Sequence, residues 1–463
     1  MKNNTAVIVM AAGAGTRFKS KYSKLLHNMA GKPVISYLSS LMKKIKPAQT
    51  IFVVSFQKEE IIKAIGEAKG FSFVEQRVLD GTAGAVRVAL PSLNKNIKKV
   101  IIVPGDTPTI PEDLILELID DKRKVVVVGT RIEDPTGYGR IKTDKKGLAI
   151  KIIEETDVSK EDKKIDLVNT SIYCFERAFL EQTLKNVSKN KNKNEFYLTD
   201  VIEIANKSKV PVGCIDYHCA DCVLGPNDRA GLVETSLAVW MERAINHLYN
   251  GVTILDPSRV FIDEEVVISK DVKVSPDVYL TGNTVIEEDV EILEGCRIGN
   301  SKIGKGSIVG PYVIIDGADI GPENKIGPFT YIRPGTRTDK KVKIGGFVET
   351  KKITVGVGSK IPHLSYIGDA IIGKGVNIGC GVITCNYDGF NKHLTEIGDN
   401  VFVGSDSQLI APVKLNDNAY VAAGTTVTTE VTKDSLAISR TKQKNIEGYA
   451  IKLRDKKSKG HKE

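Results

Sequence analysis

The sequence predicts a two-part α/β chain, an open sheet wound with helices followed by a parallel β-helix. Three observations carry that prediction. Up to Asp228, short β-branched apolar runs alternate with amphipathic helical stretches. Beyond Gly251, apolar residues recur every six positions. One long helical stretch, Arg229 to Asn250, separates the two patterns.

In the first part, Thr5–Met10, Thr50–Ser55, Val100–Val103 and Val125–Gly129 read as strands buried on both faces. Val34–Lys44 and Lys58–Glu67 read as helices between them. Such βαβ units build an open parallel sheet, and ligands bind at the carboxyl ends of its strands. In the connecting helix Leu232, Leu237, Trp240, Met241, Ala244, Ile245 and Leu248 keep roughly helical spacing, and Gly251 is placed to cap its end.

The second part holds three six-residue ladders. One runs Ile262, Ile268, Val274, Leu280, Ile286, Ile292, Ile298. A second is Ile372, Ile378, Thr384, and a third runs Ile397, Val403, Leu409, Leu415, Val421, Val427. Ordinary strands repeat at two, not six. About three hexads close one triangular coil, so roughly nine or ten coils are expected, ladder residues inward and the following glycines at corners. The repeat breaks at Asn386–Glu396, which reads as a loop thrust out of the scaffold.

Composition narrows the class. With 41% hydrophobic and 27% charged residues in 463, the chain is globular; its 41 glycines and single tryptophan suit tight turns around an aliphatic core. No apolar run approaches the ~18 residues of a membrane span, and the run after Met1–Asn4 is too short for a secretory segment. A cytoplasmic location is expected. Seven scattered cysteines suggest reduced thiols. Cys219 and Cys222, with Cys214 and His218, invite a zinc site, but no second ligand pair stands at matching spacing. Of the net +9, four charges come from Lys452, Arg454, Lys456, Lys457, Lys459 and Lys462 set against Asp455 and Glu463. Segment 451–463 is therefore expected to be a solvated, disordered basic tail, not a nucleic-acid face.

The first strand runs into Ala11-Ala12-Gly13-Ala14-Gly15-Thr16-Arg17. This is neither a P-loop nor a dinucleotide fingerprint, since the G-K-[ST] ending and the third glycine are missing. It is a glycine-rich turn whose N–H groups suit an anion, with Arg17 and then Lys24 as cations. Gly105-Asp106 follows a strand, placing a carboxylate where Mg²⁺ and substrate phosphates would meet; a turn-capping aspartate is the plainer alternative.

With Gln76, Gly81-Thr82, Gly-Tyr-Gly-Arg at 137–140, Glu154, Asn169-Thr170 and Asn227, these motifs resemble a sugar-phosphate nucleotidyltransferase domain. Joined to a hexapeptide helix, nearly the whole chain resembles the bacterial bifunctional N-acetylglucosamine-1-phosphate uridylyltransferase/glucosamine-1-phosphate N-acetyltransferases. The resemblance implies a Rossmann-like domain over 1–229, a linker helix over 230–250 and a left-handed β-helix acetyltransferase over 251–450. It implies acetylation of glucosamine-1-phosphate by acetyl-CoA. UMP then passes from UTP to the product, giving UDP-N-acetylglucosamine for peptidoglycan, lipopolysaccharide and other envelope polysaccharides. It places UTP and the UDP-sugar against Met10, Ala11, Ala12, Gly13, Arg17, Lys24, Gln76, Gly81, Thr82, Gly105, Asp106, Gly139, Glu154, Asn169 and Asn227. Arg17 and Lys24 would hold phosphates. Gln76, Gly81 and Thr82 would read the uracil, and Asp106 and Asn227 would ligate Mg²⁺. Gly84, Ser23 and Pro104 depart from the family's pattern.

In the β-helix, Arg333, Lys351, Lys352 and His363 stand on or near corners, with Asn386-Tyr387 close by coil count. A lone histidine is more often structural, but this grouping resembles the family's acetyltransferase site. The resemblance implies Arg333 and Lys351 on the substrate phosphate, and Tyr366 and Asn377 on the sugar. It implies His363 as general base oriented by Glu349, and Cys380, Asn386, Tyr387, Ser405, Ala423 and Arg440 against acetyl-CoA. Histidine suits the task because its pKa lies near 7. Cys380, where the family has alanine, is expected to pack as a small apolar side chain. The resemblance also implies a homotrimer, and the loop Asn386–Glu396, long enough to reach a neighbour, suggests an acetyltransferase site shared between subunits.

The competing readings are a monofunctional hexose-1-phosphate nucleotidyltransferase with a structural β-helix, a zinc hydratase, and a nucleic-acid-binding assembly factor. A hydratase needs three histidines, and only His363 and His393 fall in the repeats.

Overall fold

The computed structural model describes residues 4–13, 15–190 and 194–459. The chain divides into two compact units, Met1–Val239 and Trp240–Glu463.

In the first unit nine strands form one sheet: β1 (Thr5–Ala11), β2 (Gln49–Val54), β3 (Phe71–Glu75), β4 (Lys99–Pro104), β5 (Val125–Arg131), β6 (Arg140–Thr143), β7 (Ala149–Ile153), β8 (Leu167–Glu176) and β9 (Val212–Asp216). The order is β9-β5-β8-β4-β1-β2-β3, with β6 and β7 hanging off β8 as a hairpin. The sheet is mixed, which corrects the expected parallel one: β8 runs antiparallel to both β4 and β5. Residues alternate between faces, as the pleat requires. Ile8 and Ile102 pack with Ala83 and Val86 of α3 (Thr82–Ala89) on one side. Val7, Val9 and Val103 pack with Leu38 of α1 (Val34–Ile45), Ile61 of α2 (Lys58–Ile65) and Leu114 of α4 (Glu112–Asp120) on the other. After β1 the chain moves outward through β2 and β3, then crosses to β4 on β1's opposite side. A crevice opens at such a reversal, beyond the strands' carboxyl ends.

The helix Arg229–Tyr249 spans the division between the units. Leu232 joins the core of the first unit, and Ala244 that of the second. Leu237, Ile245 and Leu248, expected on its apolar stripe, are exposed.

The second unit is a left-handed parallel β-helix. One wall is an 11-stranded sheet with one strand from each coil, and the other two walls share a 17-stranded sheet. Every expected ladder residue is buried except Ile268, which is half-buried. The glycines expected at the corners act differently. A Cβ on Gly304, Gly321, Gly373, Gly379, Gly398 or Gly404 would stand 2.4 to 2.6 Å from an atom of the next coil, so these glycines admit close stacking. Left-handed corner positions are shared between other glycines, such as Gly306, Gly358, Gly375 and Gly381, and residues such as Asp271, Asp289, Asn300 and Asn400, types that tolerate that conformation. The loop interrupting the coils spans 386–394, shorter than expected because Glu396 already lies in the strand Thr395–Ile397.

Two further expectations are corrected. Cys219 and Cys222 are joined by a disulfide, which removes both the zinc reading and the expectation that all seven thiols are reduced. The tail expected to be disordered forms a helix over Tyr449–Lys459, exposed through Lys456, and residues 460–463 lie outside those described.

Candidate active sites

The first site forms at the carboxyl edge of the mixed sheet. The glycine-rich turn leaves β1; Ala14 within it lies outside the described residues. Gly105 and Asp106 leave β4, and the Gly105 N–H donates to the Met10 carbonyl at 2.8 Å. Because β8 runs the other way, its first residues reach the same edge, and the Asn169 N–H donates to the Gly139 carbonyl at 2.8 Å. The segment bearing Asn227 is pressed onto this edge. A Cβ on Gly225 would stand 2.1 Å from the Asp106 carbonyl oxygen, so only glycine fits there.

The polar groups are paired. The Lys24 ammonium meets the Asp106 carboxylate. Arg17 Nη1 donates to Asn227 Oδ1 at 2.9 Å, and Asn227 Nδ2 donates to the Tyr138 hydroxyl at 2.8 Å. Burial, and secondarily the Arg17 guanidinium, push Lys24 down to about 8. Among the described residues, no three or more His, Cys, Asp or Glu side chains form a group that could hold a metal ion. One carboxylate and one amide oxygen suit a hard cation that takes its remaining ligands from phosphates and water.

Towards β3, Gln76 is buried, and its amide donates to Asp80 and Gly81. The Thr82 hydroxyl accepts from the Leu198 N–H at 2.9 Å. Glu154 accepts from the Thr199 hydroxyl at 2.7 Å, and Asn169 donates to the Tyr173 hydroxyl at 2.8 Å. Asp80, Tyr138 and Thr199 escaped the sequence reading as contributors. Tyr138 sits inside the quoted Gly-Tyr-Gly-Arg motif and Asp80 beside Gly81, so only the side-chain contacts were hidden.

The second site lies along one corner of the β-helix. Backbone bonds align successive coils. The Gly381 N–H donates to the Leu364 carbonyl, that of Asp406 to Cys380, and that of Gly424 to Ser405. His363, Cys380, Ser405 and Ala423 thus form one column, and Arg440 Nη1 donates to the Ala423 carbonyl at 2.8 Å. Cys380 is exposed in this column and does not pack inside as expected. Asn377 lies on the adjoining wall, in register with Lys360 and Phe402.

Beyond the corner, Tyr331, Glu349, Tyr366 and Ile383 are in register. Arg333 Nη1 binds Glu349 Oε1 at 2.7 Å. Glu349, expected to orient His363, holds Arg333 instead and makes no hydrogen bond to the histidine. The Lys392 ammonium beside Lys351 holds that lysine below its ordinary pKa, a crowding of cations suited to an anion. The Asn386 amide donates to the Asp369 carboxylate. A Cβ on Gly368 would stand 2.5 Å from the Tyr366 hydroxyl and 2.9 Å from the Asn386 amide nitrogen, so both groups close over that strand. In the loop, Tyr387 donates to the Gly389 carbonyl at 2.6 Å, and His393 pairs with Asp388 at 2.7 Å. Lys392 and Asp369 were missed because their partners lie far away in sequence.

A sheet edge where cations, a carboxylate and amides converge, joined in one chain to a hexapeptide helix, defines the class of two-domain transferases. Comparison with family models agrees: residues 6–220 match the nucleotidyl transferase family, 261–336 the GMPPB C-terminal domain, and 394–429 the bacterial transferase hexapeptide (six repeats). The chain is 42% identical over 450 residues to the bifunctional protein GlmU of Listeria welshimeri, covering 96% of this chain and 98% of that protein. The bifunctional protein GlmU of Geobacillus sp. strain WCH70 is 40% identical, covering 97% and 98%, and that of Pelobacter propionicus 39%, covering 98% and 99%. The chain belongs to the bifunctional GlmU family. It is accordingly a glucosamine-1-phosphate N-acetyltransferase and an N-acetylglucosamine-1-phosphate uridylyltransferase, which sets aside the monofunctional reading.

Proposed function

We propose that uridylyl transfer occurs at the carboxyl edge of the mixed sheet and acetyl transfer along the His363 corner. The observation that carries this is the convergence of Arg17, Lys24, Asp106 and Asn227 from three separated segments. Arg17 and Lys24 exchange their protein partners for the triphosphate. Asp106 and Asn227 would hold Mg²⁺, which would supply neutralisation of phosphate charge. Glu154, Asn169 and Gly139 hold the acceptor sugar. Its phosphate oxygen attacks the α-phosphorus of UTP as the bond to pyrophosphate breaks, so the residues contribute by positioning and charge.

In the β-helix, Arg333, Lys351 and Lys392 take the glucosamine phosphate, and Tyr366 and Asn377 the sugar. His363 removes a proton from the ammonium. The freed amine attacks the thioester carbonyl, the C–N bond forms, and coenzyme A leaves as its thiol. Ser405, Ala423 and Arg440 line the carrier's path, with Asn386 and Tyr387 beside the acetyl group.

The active form is a cytoplasmic homotrimer that supplies UDP-N-acetylglucosamine to peptidoglycan and, where it is made, lipopolysaccharide. Among the described residues no helix is long and apolar enough to cross a membrane. The exposed rings of Tyr312, Phe329 and Phe347 stack along one corner at 5.3 and 5.4 Å, an apolar strip that association would cover.

The reaction is tested by supplying glucosamine-1-phosphate, acetyl-CoA, UTP and Mg²⁺ and following each intermediate by mass. His363→Ala should lose acetyl transfer ~10²–10⁴-fold while uridylyl transfer persists. His363→Ala and Asn386→Ala chains mixed as heterotrimers should recover activity if the site is shared. A fully active monomer in sedimentation contradicts the shared site.

A further inference from the structure

Gln76 is 3% exposed and has little freedom to turn. Its amide nitrogen donates to Asp80 Oδ1 at 3.0 Å and to the Gly81 carbonyl at 3.2 Å. A carboxylate and a carbonyl only accept, so chemistry dictates which end of the amide faces them. The reversed amide would press its oxygen against two oxygens. With both amide hydrogens engaged, the remaining group Gln76 can offer a ligand is the acceptor Oε1.

Asp80 occupies its place because residue 84 has no side chain. A Cβ on Gly84 would stand 1.7 Å from Asp80 Oδ1 and 2.5 Å from its Cγ. The carboxylate and any residue-84 side chain exclude each other. The backbone around Asp80 is anchored as well, its carbonyl accepting from the Phe196 N–H at 2.7 Å and its N–H donating to the Val78 carbonyl at 2.9 Å. It also lies just before the first turn of α3, where a negative charge is favoured.

We propose that Asp80 is a specificity-determining positioning residue for uridylyl transfer, fixing Gln76 so that it offers an oxygen to the base. An oxygen there selects a pyrimidine with an N–H at ring position 3, as in uracil, over cytosine, which presents a lone pair. Gly84 is the condition for this arrangement. The inference rests on Gln76 being the base contact.

The test compares kcat/KM for UTP and CTP in the full chain. Asp80→Asn is nearly isosteric but can donate as well as accept, so it leaves the Gly81 carbonyl alone to hold the Gln76 orientation. The UTP-over-CTP preference should narrow ~10-fold, chiefly through loss with UTP. Gly84→Ala should reproduce that loss, and should add little in an Asp80→Ala background. Acetyl transfer by the same preparations reports that the chains are folded. An Asp80→Asn variant that loses activity equally with both nucleotides, or retains the wild-type preference, overturns the proposal if Gln76→Ala does change that preference. A Gln76→Ala variant with unaltered preference shows instead that Gln76 is not the base contact, and the proposal falls with that reading.

Discussion

Lys24 and Asp106 face each other at the sheet edge, and each has a second partner in the proposed reaction, the triphosphate for one and the metal ion for the other. Asp106→Ala should abolish uridylyl transfer and leave acetyl transfer intact, because it removes the one carboxylate of the proposed metal pair. Near-normal uridylyl transfer at limiting Mg²⁺ would exclude Asp106 as a ligand. Lys24 adds a pH dependence. Burial holds it at about 8, so the ammonium, the form that binds phosphate, is lost as pH rises through that value. Since kcat/KM reports the free enzyme, its value for UTP should fall above about pH 8. Lys24→Arg stays charged and should lack that limb; a variant profile superimposable on the wild type refutes the assignment.

Elements bring these residues together through close backbone approach. Gly225 lies against the Asp106 carbonyl, and the segment it starts carries Asn227. A methyl at Gly225 must move one of the two backbones, so Gly225→Ala should lower uridylyl transfer at least ~10-fold and leave acetyl transfer unchanged. Full uridylyl activity in a folded Gly225→Ala chain would show that this packing does not position the site. The β-helix uses the same device repeatedly, with some glycines admitting the next coil while others, with Asp and Asn, turn the corners. Stacking at a fixed register then sets His363, Cys380, Ser405 and Ala423 in one column.

For the whole molecule, the division at Val239 falls ten residues inside the helix that starts at Arg229. Leu232 is 7% exposed and belongs to the first unit's core, so an independent fragment must include it. A 1–239 fragment should make the UDP-sugar from N-acetylglucosamine-1-phosphate and not acetylate. It should be more stable in urea than a 1–229 fragment by ~2 kcal/mol, the scale of burying one leucine. Equal stability would place the boundary at Arg229 after all.

Local chemistry made much of this protein legible in its sequence. Six-residue periodicity cannot serve ordinary strands, so the ladders from Ile262 to Val427 announced the β-helix by themselves. Alternating β-branched and amphipathic runs announced the sheet, and the glycine-rich turn, Lys24 and Gly105-Asp106 marked the edge where its polar groups converge. Other features depended on groups distant in the chain. The direction of β8 follows from pairing with β4 and β5, and its apolar run reads the same either way. The resemblance paired Glu349 with His363, yet coil stacking brings its carboxylate to Arg333, sixteen residues away in the chain. The Cys219–Cys222 bond depended on backbone geometry that residue spacing does not specify. Gly84, a departure with no explanation in one dimension, is accounted for by the Asp80 carboxylate that fills its side-chain space.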